Sequence, residues 1–540
     1  MSQAQQLVDA VLESPTKWLA VAGAVSLVTY TLYLVFLSQY FSSFYNLPGP
    51  PSAHWFWGNK GDVLKGMMRS QMLWGDTFGR TYRTHSLLGN LEATTSDFKA
   101  ITYVLGHPDL FIKPKGPNLL LSDVLGKGLV TVEGHTHRRQ RRVLNPAFGW
   151  IQVQGMAPMI LDKAHMLRRR MQRLLDDAPE PGVRQMEMIQ QLSDVSLDII
   201  GAAGFDIDLH ALDDKPSVLR EAYTKTQVIG GKMSPLVMLH LQMPATRMVT
   251  PNNRKRIVKA SRAAASVIVA DRKRQLAAEG TSLEKATPGK DVLSLLLKAN
   301  MASDLRQDQR LTDEEVVDQI ATVLFAGHET TATAMTWCLY LLSLNPDVQD
   351  RLREELQGVY EDDPDYETLH GLPYLDKVVH ESLRLEAPVP FSSRVATSSA
   401  VVPLDTPVRG RNGKLITELQ LSKGDLIAIP IAYINRMTET WGPDAREFNP
   451  DRFDRTDKRA NVPGVWGNIM TFLAGPHNCI GHRLTIIEMK AMLFVFLRAF
   501  AFEIPPNKPE IGRTWLVIQR TIVVGEEAKG PQMPLVVRAL

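Results

Sequence analysis

The longest helical pattern in the chain places the strongest constraint on its fold. Thr312 and Glu315 form the capping-box pattern that opens a helix. Apolar periodicity then continues until Asn345 and Pro346, which would end that helix. A helix of roughly 32 residues is about 48 Å long and has to cross a whole folded body. Strand-like alternation is scarce and late, as in residues 425–434, so the sequence predicts a mainly helical fold with small sheets.

An uncharged stretch near the N-terminus predicts a transmembrane helix. Residues 18–37 contain no charged side chain, and about 20 apolar residues are enough to cross the bilayer hydrocarbon. A cleavable signal peptide is disfavoured because the stretch is too long and no positive segment precedes it. A buried core helix is the other alternative. We expect a short tail over 1–17, the anchor over 18–37, a linker with a Pro-rich hinge over 38–52 and one folded domain over 53–540.

Composition excludes several function classes. A formal charge of +3 over 540 residues, without basic runs interleaved with aromatics, gives no indication of nucleic-acid binding. Two cysteines, Cys338 and Cys479, argue against a disulfide scaffold and exclude a four-cysteine zinc site. This cysteine usage fits a reducing compartment.

The middle of the long helical pattern carries the polar run AGHETT. His328 and Glu329 begin the zinc-protease pattern, but Ala332 stands where the second histidine is needed, which excludes that class. Gly327 costs about 1 kcal/mol relative to alanine inside a helix, and threonine hydroxyls can bond back to carbonyls and bend it. We therefore expect a locally opened helix that offers Glu329 and Thr330 to a neighbouring group. A helix surface that is merely polar is the alternative.

A second helical stretch contains a charged pair. Glu381 and Arg384 lie three residues apart and face the same side of a helix that is otherwise largely apolar. If that pair is buried it needs further partners, and Arg452 in the stretch PDRF is a candidate third member. The alternative is an exposed ion pair that contributes only a few tenths of a kcal/mol.

A single cysteine lies in the glycine-bounded stretch FLAGPHNCIG. A lone cysteine is more often a small buried side chain than a ligand. Here Gly475 and Gly481 allow the backbone to approach something flat and close. A thiolate at Cys479 would need a metal or N–H donors to balance its charge. Haem iron with an axial cysteine meets both requirements.

These segments together resemble the cytochrome P-450 family of haem-thiolate enzymes, in its membrane-anchored, fungal-type form. The cysteine stretch is similar to the family's iron-ligand signature, AGHETT to its oxygen-activation segment, and ESLR with PDRF to its Glu-x-x-Arg triad. The resemblance covers essentially the whole chain, including the anchor and hinge, and implies the cytochrome P-450 fold. The residues that match the signature are Phe472, Gly475, Cys479 and Gly481; those that match the triad are Glu381, Arg384 and Arg452.

Two departures from the family pattern stand out. Leu473 occupies a position where glycine is usual, which leaves the geometry of the ligand loop open. The family's Trp-x-x-x-Arg is replaced by His137 and Arg141, a variant known among fungal members. The resemblance implies heme b with iron held by Cys479 and a proton relay through Thr330 and Glu329. The side chains expected to reach the haem propionates are His137, Arg141, Arg394 and His477.

The resemblance implies a monooxygenase that inserts one oxygen atom from O2 into a lipophilic substrate. A terpenoid or another secondary metabolite is expected, with fatty acids, sterols and xenobiotics as alternatives. By analogy, its pocket is formed by residues 113–129, 226–244, 389–393 and the helix near Phe325. A haem-thiolate isomerase or dehydratase that needs no reductase, and a ligand-binding protein without activity, are the other function classes.

The expected partners and location follow from the same resemblance. The sequence has no dinucleotide-binding or flavin-binding stretch, so the electrons are expected from a separate NADPH-cytochrome P-450 reductase, with cytochrome b5 as a further candidate partner. A reductase would dock on the basic face formed by Arg138, Arg139 and Arg142, for which a solvated helix surface is the alternative. The expected location is the endoplasmic reticulum membrane, with a single pass and the catalytic domain facing the cytosol.

Overall fold

The computed structural model describes residues 15–33, 37–213, 235–243, 246, 265–266, 274, 292–301, 310–455, 461–515 and 517–540. The chain divides into two compact units. The first comprises Met1–Tyr103 and Ser393–Ile429, and the second comprises Val104–Ser392 and Pro430–Leu540. A single domain over 53–540 stays a prediction.

Helices dominate the described residues, which confirms the mainly helical prediction. In chain order they are α1 (Pro15–Leu32), α2 (Lys60–Phe78), α3 (Phe98–Gly106), α4 (Lys115–Leu125), α5 (Gly134–Leu144), α6 (Trp150–Asp176), α7 (Met188–Phe205), α8 (Pro235–Gln242), α9 (Val292–Met301), α10 (Asp313–Leu344), α11 (Pro346–Gln357), α12 (Tyr366–Gly371), α13 (Pro373–Leu385), α14 (Ile431–Ile434), α15 (Thr438–Trp441) and α16 (His482–Ala499).

The strands are short and form small sheets, as predicted. They are β1 (Thr81–His85), β2 (Leu91–Thr95), β3 (Phe111–Ile112), β4 (Val183–Glu187), β5 (Ser392–Ala396), β6 (Ala400–Arg409), β7 (Leu415–Leu421), β8 (Leu426–Ile429), β9 (Phe500–Glu503), β10 (Ile511–Trp515), β11 (Gln519–Val523) and β12 (Pro534–Ala539). In the first unit, β1, β2, β8 and β5 are neighbours in that order, and β6 pairs with β7. In the second unit, β12 lies between β4 and β9, and β10 forms an antiparallel hairpin with β11.

The long helix α10 has the bounds that its sequence predicts. The Thr312 hydroxyl accepts the Glu315 backbone N–H at 3.2 Å, and a Glu315 carboxylate oxygen accepts the Thr312 N–H at 2.9 Å. These reciprocal bonds satisfy two backbone donors at the start of the helix. The helix ends at Leu344, before Pro346, as expected for a residue that cannot continue the backbone bonds.

Helices α7 and α10 approach each other closely in the second unit. A Cβ added at Gly327 of α10 would lie 2.5 Å from a side-chain carbon of Ile200 on α7. Gly327 therefore admits a neighbouring helix, and this packing offsets the propensity cost of a glycine inside α10.

The predicted anchor falls partly outside the described residues. Helix α1 ends at Leu32, whereas the predicted span continues to residue 37, and residues 34–36 are not described. Within the part of the chain that the structure describes, no helix has both the length and the apolarity needed to cross a membrane. The expected transmembrane helix over 18–37 is thus not found there.

Candidate functional site

The loop before α16 presents the single cysteine through a small set of backbone bonds. The Cys479 N–H donates to the Phe472 carbonyl at 2.9 Å, and the Asn478 N–H donates to the Gly475 carbonyl at 3.1 Å. Gly475 has φ of +69°, and a Cβ there would lie 2.4 Å from the Leu105 carbonyl oxygen. Both observations require glycine at this position.

Leu473 occupies the loop in a conformation that glycine would adopt easily. Its φ is +59°, in the left-handed region that an L side chain enters at a cost. Its N–H still donates to Met470 at 2.9 Å, and its carbonyl accepts from Val465 at 3.0 Å. The departure from the family pattern is therefore accommodated as local backbone strain.

The thiol of Cys479 faces an internal concave surface. The residue is exposed, yet the surrounding protein desolvates its sulfur and raises the pKa of the thiol. The Gly481 N–H and the positive charge of Arg141 act in the opposite direction and favour the thiolate. Cys338 is different, because complete burial raises the pKa of its thiol to about 12. This environment fits the packing role that the sequence predicts for Cys338.

Three of the four side chains predicted to reach the haem propionates gather beside this loop. Arg141 donates to the Asn478 carbonyl at 2.6 Å. The rings of His137 and His477 stack with their centroids 3.8 Å apart and an interplanar angle of 7°. Burial, together with the positive charges of Lys113, Arg141 and Arg138, lowers the pKa of His137 to about 4. At neutral pH, His137 is therefore an uncharged hydrogen-bonding group.

The fourth predicted propionate contact, Arg394, belongs to the other unit. It is buried in strand β5 and donates to the carbonyl of Ser393 at 2.8 Å. Its contact with a propionate stays a prediction.

The middle of α10 shows a partly exposed strip on an otherwise buried helix. Phe325, Ala326, Gly327 and Thr330 are partly exposed, whereas the residues on either side are mostly buried. The next hydroxyl, on Thr331, lies 3.5 Å from that of Thr485 in α16, the helix that follows the cysteine loop. The relay helix and the cysteine loop therefore belong to one site.

These features fit a haem group. An exposed cysteine on an internal surface supplies the iron ligand that a haem-thiolate site needs. Arg141 and the two histidines beside it provide hydrogen-bond donors for carboxylates. The small and partly exposed positions on α10 leave room for a flat ring.

The expected local opening of α10 is not seen. The Thr330 hydroxyl donates to the Ala326 carbonyl at 2.7 Å, and the Thr331 hydroxyl donates to the Gly327 carbonyl at 3.2 Å. Both hydroxyls are thus satisfied inside an unbroken helix, the back-bonding that threonine adopts when the helix does not open. The polar run AGHETT is compatible with a continuous helix.

Glu329 faces a different partner from Thr330. Its carboxylate accepts from Arg520 of strand β11 at 2.8 and 3.1 Å and is almost fully buried. Burial alone would raise the pKa of this carboxyl, but Arg520 and His328 overcome that effect and lower it to about 2. Sequence reasoning missed Arg520, because one arginine in a short strand carries no signal of its distant partner.

The charged pair on α13 is buried and joined by Arg452, as the triad prediction requires. Arg384 donates to the two oxygens of Glu381 at 2.7 and 2.8 Å, and Arg452 donates to Glu381 at 2.7 Å. All three side chains are at most 1% exposed. Arg452 also donates to the Asp444 carbonyl at 2.8 Å. The alternative of an exposed pair is wrong.

Two of the predicted pocket segments contact other elements of the second unit. The Lys127 N–H donates to Asp318 of α10 at 2.7 Å, which places the segment over 113–129 against the relay helix. A Cβ on Gly116 would lie 1.8 Å from the Leu241 carbonyl oxygen, so α4 also approaches α8 closely. Residues 226–234 of the predicted pocket lie outside the described residues.

Comparison with known proteins agrees with this geometry. Residues 48–522 match the family model described as Cytochrome P450. Cytochrome P450 monooxygenase 205 of Postia placenta is 38% identical over 505 residues, which cover 91% of this chain and 92% of that protein. Cytochrome P450 monooxygenase 128 of the same organism is 36% identical over 539 residues, covering 96% and 97%.

A further relative is cytochrome P450 monooxygenase claW of Ampulloclitocybe clavipes. It is 32% identical over 507 residues, which cover 91% of this chain and 92% of that protein. The family resemblance seen in the sequence is confirmed. The chain belongs to the cytochrome P450 family and is an oxidoreductase that incorporates oxygen from O2.

Proposed function

We propose that this P450 is a membrane-anchored monooxygenase that hydroxylates a lipophilic substrate with electrons from NADPH-cytochrome P-450 reductase, and that cytochrome b5 can assist. Family membership implies a haem-thiolate cofactor, and the proposal specifies heme b. The observation that carries the proposal is the exposed Cys479 on an internal surface, with Arg141 beside it and Thr330 on the neighbouring helix.

Each residue of the site has a defined role in this proposal. Bound through Cys479, the haem supplies oxygen activation. Arg141, His137 and His477 hold its carboxylates through hydrogen bonds. Thr330 holds a water molecule and passes a proton from its hydroxyl.

An apolar pocket roof supports the choice of a lipophilic substrate. Helix α8 has the sequence PLVMLHLQ, with Leu236 and the following Met243 exposed. Such a surface favours an uncharged ligand. We propose a terpenoid or another secondary metabolite as the substrate, with fatty acids, sterols and xenobiotics as alternatives.

Exposed apolar side chains on α1 support the membrane proposal. Leu19, Val25 and Leu27 are 72%, 58% and 66% exposed, and exposed apolar surface of this kind favours transfer into lipid. We propose that residues 18–37 anchor the chain in the endoplasmic reticulum membrane, with the catalytic domain facing the cytosol.

The ligand assignment is tested by the reduced carbon monoxide spectrum. Wild-type protein should give the red-shifted Soret band of a thiolate ligand. Cys479→Ser should lose that band because a serine hydroxyl is a poor ligand for haem iron. Cys338→Ser is the matched control and should keep it. A red-shifted band in Cys479→Ser would contradict the assignment.

The reaction class is tested separately. NADPH consumption with added reductase and a spectral screen of lipophilic ligands should identify a substrate whose oxygenated product forms only with electrons. Conversion of a peroxide substrate without reductase would instead favour the isomerase or dehydratase class.

A further inference from the structure

A small polar cavity lies on the face of α10 that carries Glu329. About 10 Å³ is open to the centre of a water-sized sphere, which is room for about one water molecule. The cavity lies between helices α7 and α10 and strand β11. Its lining residues are Ile189, Ser193, Glu329, Ala332, Thr333, Thr336, Arg520 and Thr521.

Two buried oxygens at this cavity accept or donate no hydrogen bond among the described protein atoms. They are Oε1 of Glu329 and the Thr521 hydroxyl, both on side chains that are at most 3% exposed. The other carboxylate oxygen of Glu329 is the one bound by Arg520. Buried polar atoms without protein partners usually bond to ordered water, so the cavity has the size and the polarity to hold one.

His328 adds a second reason to place a proton or a water here. Its Nδ1 lies 2.7 Å from the Leu324 carbonyl, which can only accept, so Nδ1 carries a hydrogen. In the neutral ring Nε2 is then an acceptor, and it lies 3.5 Å from Oε1 of Glu329. Two acceptors facing each other in a buried site require a shared proton or a bridging water.

We propose that Arg520 is a positioning residue for proton delivery, holding Glu329 toward a water-filled cavity from which this carboxylate is loaded with protons. The inference rests on the proposed monooxygenase function and deepens it. In each cycle an O–H bond of the cavity water breaks and a carboxyl O–H bond forms on Glu329. The proton then leaves toward Thr330 as Glu329 releases Arg520, and solvent returns a proton to the water. Only protons move in this sequence.

The charge on Arg520 sets the resting state of Glu329. The charged and titratable groups that act on this carboxyl are Arg520 from β11 and His328 from α10 itself. Helix α7 faces it with Ile189 and Ser193, which carry no charge. Without Arg520, desolvation dominates and favours the neutral acid. A permanently protonated Glu329 would give up its proton less readily.

The test combines infrared spectroscopy with coupling measurements on full-length, haem-loaded protein. Arg520→Met should produce a carboxylic acid C=O band at neutral pH that is absent in wild type and in the Arg520→Met/Glu329→Gln double variant. Product formed per NADPH should fall several-fold. Arg520→Lys keeps a cation and should stay close to wild type.

Arg513→Met is the matched control on the same hairpin. Arg513 donates to Glu386 at 2.7 Å, so its removal should leave the Glu329 band and the coupling unchanged. An unprotonated Glu329 and unchanged coupling in Arg520→Met would overturn the proposal. Failure of the proposed function is distinguishable, because wild type would then lack the thiolate band or reductase-dependent turnover.

A double-variant comparison keeps the proposal testable if Arg520→Met does not fold. In a Glu329→Gln background, Arg520→Gln leaves no buried charge in either residue. If Arg520 acts only through Glu329, coupling in this double variant should equal that of Glu329→Gln alone. A further several-fold loss would overturn the proposal.

Discussion

The Thr330 hydroxyl lies on the partly exposed strip of α10 and bonds only within its own helix. Thr330→Ala should therefore preserve the fold and the binding of haem, carbon monoxide and substrate. General acid assistance is typically worth about 10²–10⁴-fold, so product per NADPH should fall and hydrogen peroxide should rise. Parallel assays of NADPH, peroxide and product measure the effect.

Thr331→Ala is the control for Thr330. Its hydroxyl is buried, bonds Gly327 and lies near Thr485, so coupling should stay at the wild-type level. If Thr330→Ala is also fully coupled, Thr330 is structural and the isomerase class regains support.

Leu473 offers a test of strain in the cysteine loop. Leu473→Gly should relieve the left-handed backbone cost and raise the free energy of unfolding by up to about 1 kcal/mol. Leu473→Ala keeps a Cβ at the same φ and loses side-chain contacts, so it should be less stable than wild type. Urea unfolding of the haem-loaded proteins measures both, and equal losses in the two variants would exclude the strain.

At the scale of elements, the triad holds α13 to the segment that carries Arg452. Arg452→Ala leaves the buried carboxylate of Glu381 short of a partner, which should cost roughly 3–5 kcal/mol and reduce haem incorporation. The exposed pair of Arg351 and Asp451, at 2.7 Å, is the matched comparison. Arg351→Ala should change the free energy of unfolding by less than about 1 kcal/mol. Similar losses in both variants would contradict the role of burial.

Helix α16, which follows the cysteine loop, contains a buried carboxyl. Burial raises the pKa of Glu488 to about 8, and Ser196 of α7 opposes this only partly. Because the folded state favours the protonated form, this contribution to stability is present below the unfolded pKa of about 4.5 and is lost as pH rises toward 8. Glu488→Gln should therefore match wild type near pH 5 and exceed it by on the order of 3 kcal/mol near pH 8.

The control for Glu488 is an exposed glutamate nearby in sequence. Glu503 pairs with Arg538 at the surface, so Glu503→Gln should not change the pH dependence of unfolding. An advantage of Glu488→Gln that is equal at pH 5 and pH 8 would show that Glu488 does not titrate in this range.

At the scale of the whole molecule, the structure places the start of the folded first unit before the Pro-rich hinge. Phe44 and Leu47 are at most 1% exposed. The Arg411 N–H donates to the Asn46 carbonyl at 2.7 Å, and Arg83 donates to the Tyr45 carbonyl at 3.0 Å. Part of the predicted linker over 38–52 therefore belongs to the core of this unit.

Two truncations test both the anchor and this boundary. Removal of residues 1–41 should release the protein from membranes and leave haem binding intact. Removal of residues 1–46 also deletes Phe44 and should cost about 3–5 kcal/mol, seen as a lower Tm. Sedimentation with membranes and thermal unfolding measure the two effects. Full retention on membranes after the shorter truncation would contradict the proposed anchor, and equal Tm values would contradict the boundary.

The sequence by itself determined the features whose causes are local. Both ends of α10 depend on neighbouring residues, with Thr312 and Glu315 at one end and Pro346 at the other. The cysteine loop is also short-range, since the bond from Cys479 to Phe472 spans seven residues. Such features can be predicted because the residues that cause them are adjacent in the chain.

Only the tertiary structure decided which groups the polar residues of α10 meet. Glu329 binds Arg520, which is 191 residues away, and Gly327 admits Ile200 of α7. The helix stays closed at Thr330 because the hydroxyl is satisfied inside it. Helical periodicity indicates that a face is buried, but the side chain opposite each position depends on which elements pack together. For this reason the sequence predicted the family and the iron ligand, whereas the partner of Glu329 and the reason for Gly327 required the folded chain.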